Sequence, residues 1–95
     1  MDTDEVINKL QRIKPHLQRE YAVKTVGLFG SFADGTYTDS SDVDILVEFD
    51  GPVGWKFFKL EKYLETTFHR KIDLVTVNAL KEQIRHLVLS QIQYI

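Results

Sequence analysis

Residues 27–50 read GLFGSFADGTYTDSSDVDILVEFD, and the run DVDILVEF at its end decides the fold. Side chains of a β-strand alternate between faces, so Asp42, Asp44 and Leu46 point one way while Val43, Ile45 and Val47 point the other. The apolar set demands a core, and the acids mark a site. Two carboxylates held this close repel. A protein keeps such a pair either by letting it share a proton or by giving it a metal ion.

Working outward, Lys24 to Phe29 is a β-branched and aromatic run that reads as a strand and stops at the Gly30-Ser31 turn. Ser31 to Asp34 suits one brief helical turn ended by Gly35, and residues 36–41 are polar loop. After the strand from Asp42 to Phe49, the chain is broken by Asp50, Gly51, Pro52 and Gly54. A helix from Trp55 to about Phe68 follows, with Phe57, Leu60, Leu64 and Phe68 on one inward stripe. Lys71 to Val77 reads as a third strand. Asn78 is the expected N-cap of a last helix marked by Leu80, Ile84, Leu87 and Val88. At the start, Thr3 is the expected N-cap of a helix that runs to about Gln18, with Asp4 and Glu5 in its first turn and Val6, Ile7, Leu10, Ile13 and Leu17 at helical spacing. The tail, residues 91–95, suits either an extension of the last helix or a strand at the edge of this sheet or of a partner's sheet. The element order is therefore α-β-α-β-α-β-α, an α/β (α+β) chain.

With 95 residues, 43% hydrophobic and 27% charged, one domain over 1–95 is expected, with room for a single core and none for a separate recognition domain. No apolar stretch approaches a membrane span, and the opening MDTDEVINKLQRIK is unlike a secretory signal, so a cytoplasmic, membrane-free protein is the expectation. Without cysteine there are no disulfides, thiolate zinc sites or thiol nucleophiles. The net charge of −2, with no Lys/Arg block, disfavours direct nucleic-acid binding and a template-directed polymerase role.

Asp73 stands among Ile72, Leu74, Val75 and Val77, where an unpartnered acid would be costly to bury. If its strand lies beside that of Asp42 and Asp44, three hard oxygen donors converge, a set suited to Mg²⁺. Two-metal sites hold ions roughly 3.5–4 Å apart and clamp the attacking and leaving oxygens of a phosphoryl displacement. Gly30 lets backbone approach phosphate, and the Ser31 hydroxyl with the amides of the turn can donate to it. Each element alone is commonplace, but together they point to phosphate chemistry.

The order Gly30-Ser31, Asp42-x-Asp44 and Asp73 resembles the DNA polymerase β-type nucleotidyltransferase superfamily, whose signature is hG[GS], a DxD on the next strand and a third acid on a later one. More narrowly, nearly the whole chain, from GSFADG through SDVDILVEF and LEKYLE to KIDLVTVNAL, is similar to the minimal nucleotidyltransferases (MNT). The resemblance implies a small mixed sheet flanked by helices in a palm-like fold, two Mg²⁺ ions, and ATP as donor of AMP to an acceptor hydroxyl. It implies that Gly30 and Ser31 hold the β- and γ-phosphates, that Asp42 and Asp44 bind both metals, and that Asp73 binds the catalytic metal and helps deprotonate the acceptor. It further implies an antitoxin paired with a HEPN ribonuclease toxin, adenylylated on a tyrosine.

One departure stands out: family members often carry Arg where GSFADG has Asp34, which removes a phosphate cation and adds like charge. Lys24, Arg70 and Lys71 are the other cations that could approach the site. His16, His69 and His86 read as surface residues, since no pair stands at ligand spacing. Two competing functions follow: an antitoxin acting by occlusion alone, and transfer to a small molecule such as an aminoglycoside. The latter needs an acceptor pocket, for which no residues remain unless a dimer supplies one; a homo-oligomer or a hetero-oligomer with the toxin is the possible assembly.

Overall fold

The alternating strand after Asp42 seats a four-stranded sheet. In the computed structural model, which describes residues 1–95, β1 (Val23–Phe29) pairs antiparallel with β2 (Val43–Phe49), and β2 pairs parallel with β3 (Ile72–Thr76). A two-residue β4 (Gln93–Tyr94) lies antiparallel on the far side of β1, giving the mixed order β3-β2-β1-β4. The helices are α1 (Thr3–Tyr21), α2 (Ser31–Asp34), α3 (Lys56–Phe68) and α4 (Glu82–Gln91). The expected small mixed sheet flanked by helices is what forms.

One face of the sheet is the core. Val26 and Leu28 of β1, Val43, Ile45 and Val47 of β2, and Ile72 and Leu74 of β3 meet Val6, Leu10 and Leu17 of α1 and Leu60, Leu64 and Phe68 of α3. These positions follow the 2.0 and 3.6 periodicities of strand and helix. Each fully buried Leu, Val, Ile or Phe contributes roughly 1.5–3 kcal/mol relative to exposure. Phe57 packs beside this cluster, whereas Trp55 and Phe58 at the start of α3 face solvent.

Several boundaries differ from the sequence reading. The N-cap of α1 is Asp2, whose carboxylate accepts from the Glu5 amide at 2.9 Å; the Thr3 hydroxyl instead donates to the Phe32 carbonyl at 2.6 Å. The helix continues past Gln18 to Tyr21, until Ala22 turns left-handed (φ 55°) and its N–H caps the Leu17 carbonyl. β2 starts at Val43, so Asp42 immediately precedes it, and β3 is shorter at both ends than expected. Asn78 caps nothing: it lies in a 3-10 turn over Val77–Ala79, and α4 starts only after Lys81. The intervening Leu80 is buried, and burying it sets where the helix begins. The open choice for the tail is settled as a strand at the edge of this sheet, so the order gains a final β.

Candidate functional site on the open face

The sheet's second face carries no helix of the core layer. Asp44 is half-buried on β2 and is the register partner of Asp73 on β3, while Phe29, the last residue of β1, pairs with Asp44 on its other side. Neighbouring strands run about 4.8 Å apart, and partners in register share a face, so the two carboxyl groups meet. Burial, a hydrogen bond between the side chains of Asp44 and Asp73, and the charges of Asp73 and Asp42 together push Asp44 up to about 7. The pairing of the two carboxyl groups is thus compatible with a shared proton. Near neutral pH, about half the molecules hold that proton.

As the side chains stand, no three acids or imidazoles form a group that could hold a metal ion. The donor set nevertheless fits Mg²⁺, which is commonly bound through one or two carboxylates with phosphate oxygens completing the octahedron. Asp44 and Asp73 could supply the carboxylates, and a cation would displace their shared proton. Asp42, placed just ahead of β2, acts on Asp44 through charge in this arrangement.

The turn that follows β1 abuts the acids. Gly30 has φ 71° and ψ −154°, a conformation that L side chains rarely adopt, and a Cβ there would run into the Asp44 carboxyl group, 2.9 Å from its Cγ. Only glycine fits on both counts. The Gly30 carbonyl accepts from the Ala33 and Asp34 amides at 3.0 and 3.2 Å, which winds α2 directly after it and places Ser31 as its first residue. Asp34 is fully exposed and turned onto its own loop: its Oδ1 accepts from the Thr36 amide (2.9 Å) and hydroxyl (2.6 Å), which hold its carboxyl below the usual range. The unexpected acid is therefore a turn cap that stays ionised.

Of the candidate cations, Arg70 is committed to the loop that joins the turn to β2. Its guanidinium lies 5.2 Å from the centroid of the Phe32 ring and donates to the Asp39 carbonyl at 2.6 Å, while Phe32 stacks on Tyr37 with centroids 4.5 Å apart. Lys71 precedes β3, with its carbonyl accepting from the Val43 amide at 3.1 Å and its side chain exposed. Lys24 sits at the opposite end of β1 from Phe29, roughly 17 Å along the strand. His69 and His86 are exposed as expected, but His16 is half-buried against the rings of Tyr63 and Tyr21, with centroids 4.9 and 5.9 Å away. That aromatic packing had no signature in residue spacing.

No cavity is lined by Asp42, Asp44 or Asp73. A cleft of about 340 Å³ opens instead at the far ends of β2 and β3, against Phe49, Val53 and Asn78. The acids occupy an open surface of the sheet.

This fold, with a glycine turn against paired acids on adjacent parallel strands, defines a class: α/β enzymes of nucleotidyl transfer. Residues 10–94 match the nucleotidyltransferase domain family, and the chain belongs to it. It is 38% identical over 93 residues to the protein adenylyltransferase MntA of Thermococcus cleftensis, covering 97% of this chain and 94% of that one. A structure described as a minimal nucleotidyltransferase superposes with a TM-score of 0.84 at 26% identity, covering 98% of this chain and 95% of the other. A chain from the Shewanella oneidensis complex of a tri-AMPylated HEPN toxin with an MNT antitoxin shares the fold at TM-score 0.58 and 20% identity, with 97% and 66% covered. No helix of the chain is long and apolar enough to cross a membrane.

Proposed function

We propose that this nucleotidyltransferase transfers AMP from ATP to a tyrosine hydroxyl of a HEPN-type ribonuclease toxin and acts as its antitoxin. The observation that carries the reading is the Asp44–Asp73 pair, held in register beside a glycine that leaves room only for the carboxylate. The open setting of the acids favours an acceptor carried on a protein over a small molecule. The T. cleftensis relative supports protein adenylylation, and the S. oneidensis complex supports the pairing.

In this reading Gly30 and Ser31 bind the β- and γ-phosphates, with the Ser31 hydroxyl donating to them. Asp42, Asp44 and Asp73 hold two Mg²⁺ ions, which when bound supply charge neutralisation on the triphosphate. Asp73, the more exposed member of the pair, binds the catalytic metal in this reading and helps take the proton of the incoming hydroxyl. Catalysis is mostly positioning and electrostatics, since phosphoryl-type transfers need little covalent help from the protein. Incubation with labelled ATP, Mg²⁺ and the HEPN partner should label the partner with wild type and not with Asp44→Asn. Equal labelling by both, or none by either, would sink the proposal.

A further inference from the structure

We propose that the Tyr94 hydroxyl is itself an acceptor, so that the chain adenylylates its own terminal strand; this rests on the nucleotidyl-transfer reading above. Of the four tyrosines, three are half-buried: Tyr37 stacks on Phe32, and Tyr21 and Tyr63 pack with His16. Tyr94 alone is exposed, at 57%.

Its placement follows from the register. Tyr94 pairs with Gly27, Gly27 pairs with Leu46, and Leu46 lies two residues from Asp44 on the same strand. Cross-strand partners share a face, as do residues two apart, so the Tyr94 ring projects from the face that carries Asp44 and Asp73. A Cβ placed on Gly27 would meet Ile92 Cγ1 at 2.7 Å and Tyr94 Cδ1 at 3.4 Å, which puts both side chains directly over that face. Two strand spacings across and two residues along separate the Tyr94 and Asp44 Cα atoms by roughly 12 Å. Ile92 floors that interval over Gly27, and a nucleotide on the Gly30-Ser31 turn would lie above it, between the acids and the phenol.

The strand is anchored to that turn. Gln93 Nε2 donates to the Ala33 carbonyl in α2 at 2.7 Å, and beyond Tyr94 the Ile95 amide donates to the Val26 carbonyl at 2.9 Å. Lys14 Nζ donates to the Ile95 carbonyl at 2.6 Å. The phenol is thus presented from a fixed segment beside the phosphate turn, the arrangement that makes an intramolecular reaction fast.

The reaction balances without a redox partner. The Tyr94 O–H bond and the bond from the ATP α-phosphorus to its β-bridging oxygen break, and a phosphorus–oxygen bond to Tyr94 forms. Pyrophosphate and one proton leave, the proton by way of the carboxylate face. The product carries AMP at the margin of its own nucleotide site, so a chain given ATP without a partner becomes self-capped.

Intact-mass and peptide-mapping measurements on the full chain with ATP and Mg²⁺ test this. The expected result is an adenylyl group on Tyr94, absent from Asp44→Asn and from Tyr94→Phe, with a rate that does not change on dilution. Tyr94→Phe keeps the ring over Gly27, and a melting curve matching wild type confirms its fold. Wild type that adenylylates a HEPN-type partner yet stays unmodified overturns the inference and leaves the proposed function standing. Label on another residue, or a rate proportional to protein concentration, also overturns it. Absence of transfer to either acceptor overturns both readings.

Discussion

The two faces of β2 and β3 are built from alternate residues of the same strands and are opposite in character. On one, Val43, Ile45, Val47, Ile72 and Leu74 are almost wholly buried under α1 and α3. On the other, Asp44 and Asp73 face each other in register, and burial together with Asp73 pushes Asp44 up to about 7. The buried face stabilises the fold, and the open face stores a charge conflict that weakens it. One strand therefore separates stability from chemistry at a spacing of a single residue, and substitutions on the two faces should come apart in assay.

The largest effect is expected on the core face. Ile45→Ala removes a fully buried side chain and should cost about 3 kcal/mol in urea unfolding, a large part of the stability of a domain this size. Gly30→Ala strikes between the faces: with φ 71° and the Asp44 carboxyl group in the way, it should cost about 2 kcal/mol and abolish transfer. A Gly30→Ala variant that transfers normally would break the link between turn and acids.

Asp44→Asn should move the other way. The folded-state value of Asp44, about 7, lies above the ordinary 3.8, so the folded chain keeps a proton that the unfolded chain releases. Stability from this group is complete below about pH 4 and is lost as pH rises to 7. Asparagine carries no titration, so at pH 8 the variant should be more stable by about 2 kcal/mol, after allowance for the half of the side chain that water screens. Its transfer activity should vanish, and urea unfolding of the two proteins at pH 4 and pH 8 reads the difference directly. The smallest effect belongs to neither face: Asp2→Ala loses the α1 cap and should cost about 1 kcal/mol while leaving transfer intact.

The alternation in DVDILVEF was enough to assign both faces of β2, because a period of two has only one reading when one set is apolar. The meeting of Asp44 with Asp73 was legible only as a condition, since it depends on which strand lies beside β2 and in what register. Leu46 exposes the limit of local pattern: it shares the acids' face yet is 2% exposed, because Ile92 arrives from the end of the chain and closes over its partner Gly27. The strand at 93–94 was ambiguous for the same reason, as its pairing needs the free edge of β1. Asn78 and Thr3 are good caps by type, but Asp2 caps α1 one residue earlier, and buried Leu80 stands between Asn78 and the start of α4. Asp34 bonds only two residues ahead, to Thr36, a local turn pattern that the sequence permits but does not single out over a role at the phosphate site.

The parallel pairing of β2 with β3 has a kinetic consequence. Parallel neighbours need a crossover, here α3, so the β2–β3 pairing closes a longer connection than the β1–β2 pairing does. Until that pairing forms, Asp44 has no Asp73 beside it and ionises as an ordinary aspartate. The electrostatic penalty is thus installed in the step that pairs β3 with β2. At neutral pH a chain that loses β3 sheds its repulsion at once, which speeds opening of this edge relative to the β1–β2 hairpin. The acid pair therefore exists only while β3 is docked on β2.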